Sequence, residues 1–512
     1  MFAAQRVVAA VAVAAVAALG LAGCSAADTG AGSGSGKTLN LSLNGAPASL
    51  DFTQFGTGTN PLLMSMIYDR LAYSAPDGSV HPQAATGWKY SKNNTVLTIT
   101  LRSGMKFSNG DPVNAAAVKG TLERQKATKT NVRLAEFGAI GTIDTPNDTT
   151  VVLNLTHPDP NLVTNLGSNV GLIGDPSTFT SSDIATDPVG SGPYTMDMSQ
   201  TVPNTKYVFT KNTDYWDAKQ MDFPKVVVTV ITDPTATFNA LRSGQLDVAP
   251  LSIDQLSEAK KAGFTVSQAP YAQLGTILIA DRAGKDIPAL GDLRVRQAIN
   301  MVFDRAAIVS SLGHGVGEPT VQPFQPNSTG FVKSKSDAYT YDVKKAKSLM
   351  AEAGYQNGFS VTMPSVEGNT TAYEPTITQA LAQINIKVTW ETTPFSQIVQ
   401  KITSGTMPLY YWPVGWNNMP TNLDVMVRPD GFFNAYKSST PEMQKLLAAA
   451  DSAATQADAT TAYQNIAKYL VDQAWFAPMF TVPNLYGAAK GVVYKPQQID
   501  LTDNIRYYSA AE

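Results

Sequence analysis

Residues able to do covalent or metal chemistry are few in this chain of 512 residues. Its three histidines, His81, His157 and His314, lie far apart, each beside a proline or glycine turn signal. No pair has metal-ligand spacing, so they read as surface or turn histidines and no metal site is expected. Gly313-His314-Gly315-Val316-Gly317 carries the glycines of a dinucleotide loop but follows a helical pattern rather than a strand, so a turn is expected. Gly284-Lys285 lacks a preceding glycine at phosphate-loop spacing. Neither a Gly-x-Ser-x-Gly elbow nor a His-Glu-x-x-His pair occurs. Carboxylates abound, yet sequence cannot pair them across a cleft, so a secreted hydrolase stays as an alternative. The expectation is a binding protein with no catalytic residue and no cofactor.

One residue does carry a chemical signal. Cys24, the only cysteine, ends the small-residue run Leu21-Ala22-Gly23-Cys24 after an apolar stretch over 7–18. This pattern reads as a cleaved signal peptide over 1–23. It resembles the lipobox of bacterial lipoproteins, in which the cysteine sulfur is acylated and becomes the new N-terminus. Several acyl chains anchor stably where one binds reversibly. The alternative is a short alanine-rich transmembrane helix that happens to end in cysteine. Residues 24–36 are rich in Ser, Gly and Ala, a flexible tether.

The elements beyond the tether form an ordinary globular body. Hydrophobic residues make up 43% of the chain, and the net charge of −3 argues against nucleic-acid binding. With Cys24 used for lipid, packing alone stabilises the body, and the length suggests about three domain-sized units. Leu97, Ile99 and Leu101 alternate with polar residues, as do Val151, Leu153 and Leu155, and 226–231 is a β-branched run suited to a buried strand. Val295, Ala298, Ile299, Val302 and Phe303 have helical spacing behind a capping Asp292. Val343, Ala346, Met350 and Ala353 repeat it between Asp342 and Gly354. Thr440-Pro441-Glu442 opens another helix. Strands and helices interleave, giving an α/β or mixed class.

From about residue 39 onward the chain resembles the extracytoplasmic solute-binding proteins of the peptide/nickel-binding family, family 5, which serve ABC importers. Six segments in the family order carry the likeness. They begin with Ser49-Leu50-Asp51, where Phe52 replaces the usual proline, and Ile67-Tyr68-Asp69-Arg70-Leu71 with the following Asp77-Gly78 and Gly87-Trp88. Next come Leu101-Arg102-Ser103-Gly104-Met105-Lys106-Phe107-Ser108-Asn109-Gly110-Asp111-Pro112-Val113 and Pro188-Val189-Gly190-Ser191-Gly192-Pro193-Tyr194. Lys211-Asn212-Thr213-Asp214-Tyr215-Trp216 and Arg294-Val295-Arg296-Gln297-Ala298-Ile299-Asn300 complete the set. Most read as architecture: Gly190-Ser191-Gly192-Pro193, for example, as a turn whose glycines permit unusual dihedrals.

The resemblance implies a two-lobed periplasmic-binding-protein-like α/β fold with an extra subdomain inserted in the first lobe, closing by a hinge. The expected division is lobe I over 37–275 with the insert at 56–184, lobe II over 276–484, and a return to lobe I over 485–512. It also implies a monomer held outside the cytoplasmic membrane by its lipid and partnered by permease and ATPase subunits. The cargo would be a peptide added as an extended strand between the lobes. Positions matching the family's contacts are Gln54, Phe55 and Thr57 in lobe I, and Tyr410, Tyr411, Trp416, Asn417 and Asn418 in lobe II. One departure matters. Peptide-binding members usually place an aspartate three residues after this tryptophan, to meet the peptide's ammonium, but here Met419 stands there. Another acid takes that role, or the cargo is another solute: an oligosaccharide, a blocked peptide or a metal chelate.

Overall fold

A computed structural model describes residues 36–54, 61–131, 134–416, 418–498 and 503–511. Cys24, the signal segment and nearly all of the tether lie outside these residues. The first-lobe sheet begins with Thr38–Leu43, parallel to Lys225–Val230, and continues through Lys206–Lys211 and Tyr194–Met196. Leu39, Leu41, Val226 and Val228 alternate inward and are at most 2% exposed. The β-branched run at 226–231 is therefore buried on one face rather than both, because its odd-numbered neighbours lie on the half-exposed side.

A second unit interrupts this lobe between its first strand and Tyr194–Met196. Its antiparallel sheet orders Ala85–Ser91, Val96–Leu101, Thr150–Leu155 and Ile140–Asn147. Leu97, Ile99, Val151 and Leu153 pack beneath helix Ala115–Ala127, which the side chain of Asn114 caps by accepting from the N–H of Ala117. Arg124 of that helix grips Asp51 with two bonds of 2.7 Å, tying the insert to the opening segment.

Lobe II gathers one large core from Leu274 to Phe480. Helices Leu293–Met301 and Val343–Glu352 pack together here, capped by Asp292 and Asp342 as their sequences indicate. Gly354 follows the second helix with φ of 84°.

Two long strands, Thr265–Ile279 and Phe476–Ala488, belong to both lobes. They pair antiparallel along one sheet that also holds Val248–Leu251 and Leu409–Gly415. Leu485 sits in a small first-lobe core with Phe238 and Leu241, whereas Leu274 and Phe480 sit in the lobe II core. Between them the register breaks: Ala269 pairs with Asn484 and Gln273 with Val482, so Pro270, Tyr271 and Ala272 face Pro483 alone.

The C-terminus returns to the first lobe. Tyr508–Ala510 pairs with Val492–Tyr494, and the N–H of Ile505 donates to Ser65 Oγ at 2.9 Å. Arg506 donates to Asp217 and to the Tyr215 hydroxyl, each at 2.7 Å. Tyr215 and Trp216 in turn donate to the buried Asp69 at 3.1 and 2.7 Å. Two of the segments that carried the family likeness thus meet in one buried cluster.

Gly190 and Gly192 need a different account from the unusual dihedrals expected of them. Neither has positive φ. A Cβ on Gly190 would lie 2.0 Å from the carbonyl oxygen of Ile67, and one on Gly192 2.3 Å from that of Met66. Close backbone approach, not dihedral freedom, excludes a side chain. The loop at 313–317 is a turn as expected, with His314, Gly315 and Gly317 at φ of 47°, 76° and 94°.

Candidate functional site between the lobes

The insert and lobe II face each other across a cavity of about 500 Å³. That lies within the ~300–1,000 Å³ usual for small-ligand clefts. One wall comes from the segment after strand Thr150–Leu155, which runs through His157-Pro158-Asp159-Pro160-Asn161. The two prolines bracket Asp159 and hold it out of any ladder. Its carboxylate accepts from the N–H of Asn161 at 2.8 Å. Burial raises its pKa above the usual carboxylate range, against the lowering pull of that bond and of His157.

The other wall is helix Met419–Met426 and its neighbours. Asn418 caps this helix by accepting from the N–H of Thr421 at 3.0 Å. Asp424 lies further along it and pairs with Arg428 at 2.8 Å; Arg428 also pairs with Asp451. Burial nevertheless raises the Asp424 pKa. Three aspartates, Glu136, one arginine and His157 therefore line the space, with the arginine already held by two of the aspartates. The lining is acid-rich, and amides of Asn161, Asn165 and Asn418 supply neutral donors and acceptors.

Of the residues expected to touch cargo, Asn418 lines this cavity. Phe55, Thr57 and Asn417 lie outside the described residues. Gln54 is exposed and donates to Thr130 Oγ1 at 3.3 Å. Tyr410 and Tyr411 are buried on strand Leu409–Gly415, where Tyr411 packs 5.1 Å from the Tyr373 ring. Trp416 is 1% exposed; its indole N–H donates to the carbonyl of Pro323 at 2.8 Å, and its ring meets Tyr271 edge-on. Met419, at the position of the absent aspartate, packs in the lobe II core, and a side chain on Gly330 would strike it. Asp159 and Tyr463 were not singled out from sequence. The prolines on either side of Asp159 were the available signal, since they mark a carboxylate displayed on a rigid turn.

Among the described residues no group of three histidine, cysteine or acidic side chains could hold a metal, and no helix is long and apolar enough to cross a membrane. His81, His157 and His314 are all exposed.

Residues 79–441 match the family model described as bacterial extracellular solute-binding proteins, family 5. The glutathione-binding protein GsiB of Pectobacterium atrosepticum is 25% identical over 475 residues, covering 88% of this chain and 90% of its own. Two solved structures share the fold. NikA from Brucella suis, in complex with Fe(III)-EDTA, superposes with a TM-score of 0.80 at 20% identity, covering 93% of this chain and 100% of its own. DppA from Helicobacter pylori, in complex with the peptide STSA, gives 0.73 at 20% identity, covering 93% and 98%.

Proposed function

The chain belongs to the bacterial extracellular solute-binding proteins of family 5, the substrate-binding components of ABC importers, and from this we propose that it is a lipid-anchored receptor for oligopeptides. The observation that carries this reading is the acid-rich cavity walled by both lobes. A free peptide brings an ammonium at one end, a run of amides, and a carboxylate at the other end. The lining offers carboxylates for the first and asparagine side chains for the second. Asp159 takes the role of the absent aspartate, approaching the ammonium from the insert rather than from lobe II. A cation beside it would offset the burial that raises its pKa. The glutathione of GsiB's name and the peptide bound to DppA support the same cargo class. The protein performs no chemistry on its cargo and hands it to the permease.

Native mass spectrometry of the mature protein, purified without added ligand, tests the class. Co-purified peptides of mixed mass are expected. A single non-peptide mass would establish the second reading, a receptor for another solute such as an oligosaccharide, which the asparagine amides also suit. Asp159→Asn tests the anchor. Affinity for trialanine should fall at least roughly tenfold, as when one partner of a buried charge pair is lost, while N-acetyl-trialanine is little affected. Equal losses for both peptides would remove Asp159 from that role.

A further inference from the structure

The insert and lobe II do more than face each other. Among the described residues, three side-chain hydrogen bonds join them directly. Asn94 Nδ2 donates to the carbonyl of Ala454 at 2.8 Å. Asn161 Nδ2 donates to the hydroxyl of Tyr463 at 2.9 Å. Gln456 Nε2 reaches back from lobe II to the carbonyl of Pro160. Donors come from both sides, so the contact is reciprocal and interlocked.

Each partner is held rigidly. Ala454 lies at the corner between helices Pro441–Asp451 and Gln456–Asp472, and the next residue, Thr455, caps the second helix by accepting from Asp458. Tyr463 is 4% exposed, its ring fixed in the lobe II core. Asn94 closes a hairpin turn in which Lys92, Asn93 and Asn94 take φ of 51°, 54° and 65°. Three successive left-handed residues without a glycine are costly, and asparagine tolerates the conformation best. Such strain persists where surrounding contacts over-determine it. Here it presents the Asn94 amide to the helical corner. Pro160, Asn161 and Tyr463 also line the cavity, so the bonds lie on its rim and not at a remote surface.

These bonds exist only while the lobes are together. We propose that Asn94, Asn161 and Gln456 form a polar latch that biases the cleft toward its closed form independently of cargo. A protein whose binding-competent state is only partly populated loses affinity by that fraction. The latch therefore sets how much of the cargo's binding energy goes to closure. This inference rests on the two-lobed architecture and not on the identity of the cargo.

The test is made on protein freed of co-purified ligand by unfolding and refolding, with native mass spectrometry confirming its absence, so its failure leaves the receptor reading intact. Cys24 is the only cysteine. In a Cys24→Ser background, spin labels go on Lys89→Cys in the insert and Lys445→Cys in lobe II, both exposed positions. Double electron–electron resonance then reads the distance between the lobes. The unlatched triple variant Asn94→Ala, Asn161→Ala, Gln456→Ala should raise the ratio of long to short distances roughly tenfold or more. Its melting temperature and near-ultraviolet dichroism confirm the fold. Should the triple variant fail to fold, Asn94→Ala alone is read in the same way, with a smaller rise. Identical distance distributions with and without the latch residues would overturn the proposal. So would a latched protein that is already fully open.

Discussion

At the scale of single residues, two buried aspartates end with opposite shifts although burial pushes both the same way. Asp51 is buried, which raises its pKa, but the two bonds from Arg124 and those from Thr53 outweigh this and hold the pKa below normal. Among the described residues no cation pairs with Asp503. Its carboxylate accepts from Tyr508 at 2.6 Å, from Tyr494 at 3.3 Å and from the N–H of Asn504, and burial pushes its pKa up to about 6. The folded protein therefore keeps a proton on Asp503 that the unfolded chain gives up near pH 4. Stability from this group is fully present below pH ~4 and is lost as pH rises through about 6, a change on the order of 3 kcal/mol. Asp503→Asn removes the titration. The melting temperature of this variant relative to the parent should rise between pH 4 and pH 7; a difference that stays constant with pH would exclude Asp503 as its source.

At the scale of elements, what could be read from sequence depended on whether its cause was local. Helix starts at Asp292, Asp342 and Thr440 are capped as their own residues dictate, since a cap needs only the next three positions. Strands at Val96–Leu101 and Thr150–Leu155 follow their alternation. Long-range approach left no such trace. Gly190 looks like any turn glycine, yet the end of helix Pro61–Ile67 occupies the space of its side chain. Gly190→Ala should cost about 2 kcal/mol or more, because the obstacle is backbone and cannot rotate away. Chemical denaturation measures this, and a loss below about 0.5 kcal/mol would mean that the helix end yields freely. The candidate site was hidden for the same reason. Asn161 and Tyr463 stand 302 positions apart, and nothing in either neighbourhood names the other. The aromatic run at 410–416 was the most visible feature of the cleft region, yet its tyrosines and Trp416 are core residues.

At the scale of the whole molecule, the proposed lipid tether at Cys24 and the folded body would answer different needs. A receptor that shuttles cargo to a permease gains from confinement near it, because tethering raises the local concentration of each for the other. Cys24→Ala should release the protein into the soluble fraction with its folded body and cargo binding unchanged. Cell fractionation reads this directly, and full membrane retention would favour the transmembrane alternative.

The return of the C-terminus to the first lobe also orders events in time. The insert and the lobe II core are each built from nearly continuous stretches of chain, so each can fold once its own stretch has emerged. The first lobe cannot. Ile505, Tyr507 and Tyr508 belong to its core, and Arg506 completes the cluster around Tyr215, yet these residues are made only after the whole of lobe II. The first sheet must therefore wait until lobe II has been made, and a copy that stops before these residues is left with that core incomplete.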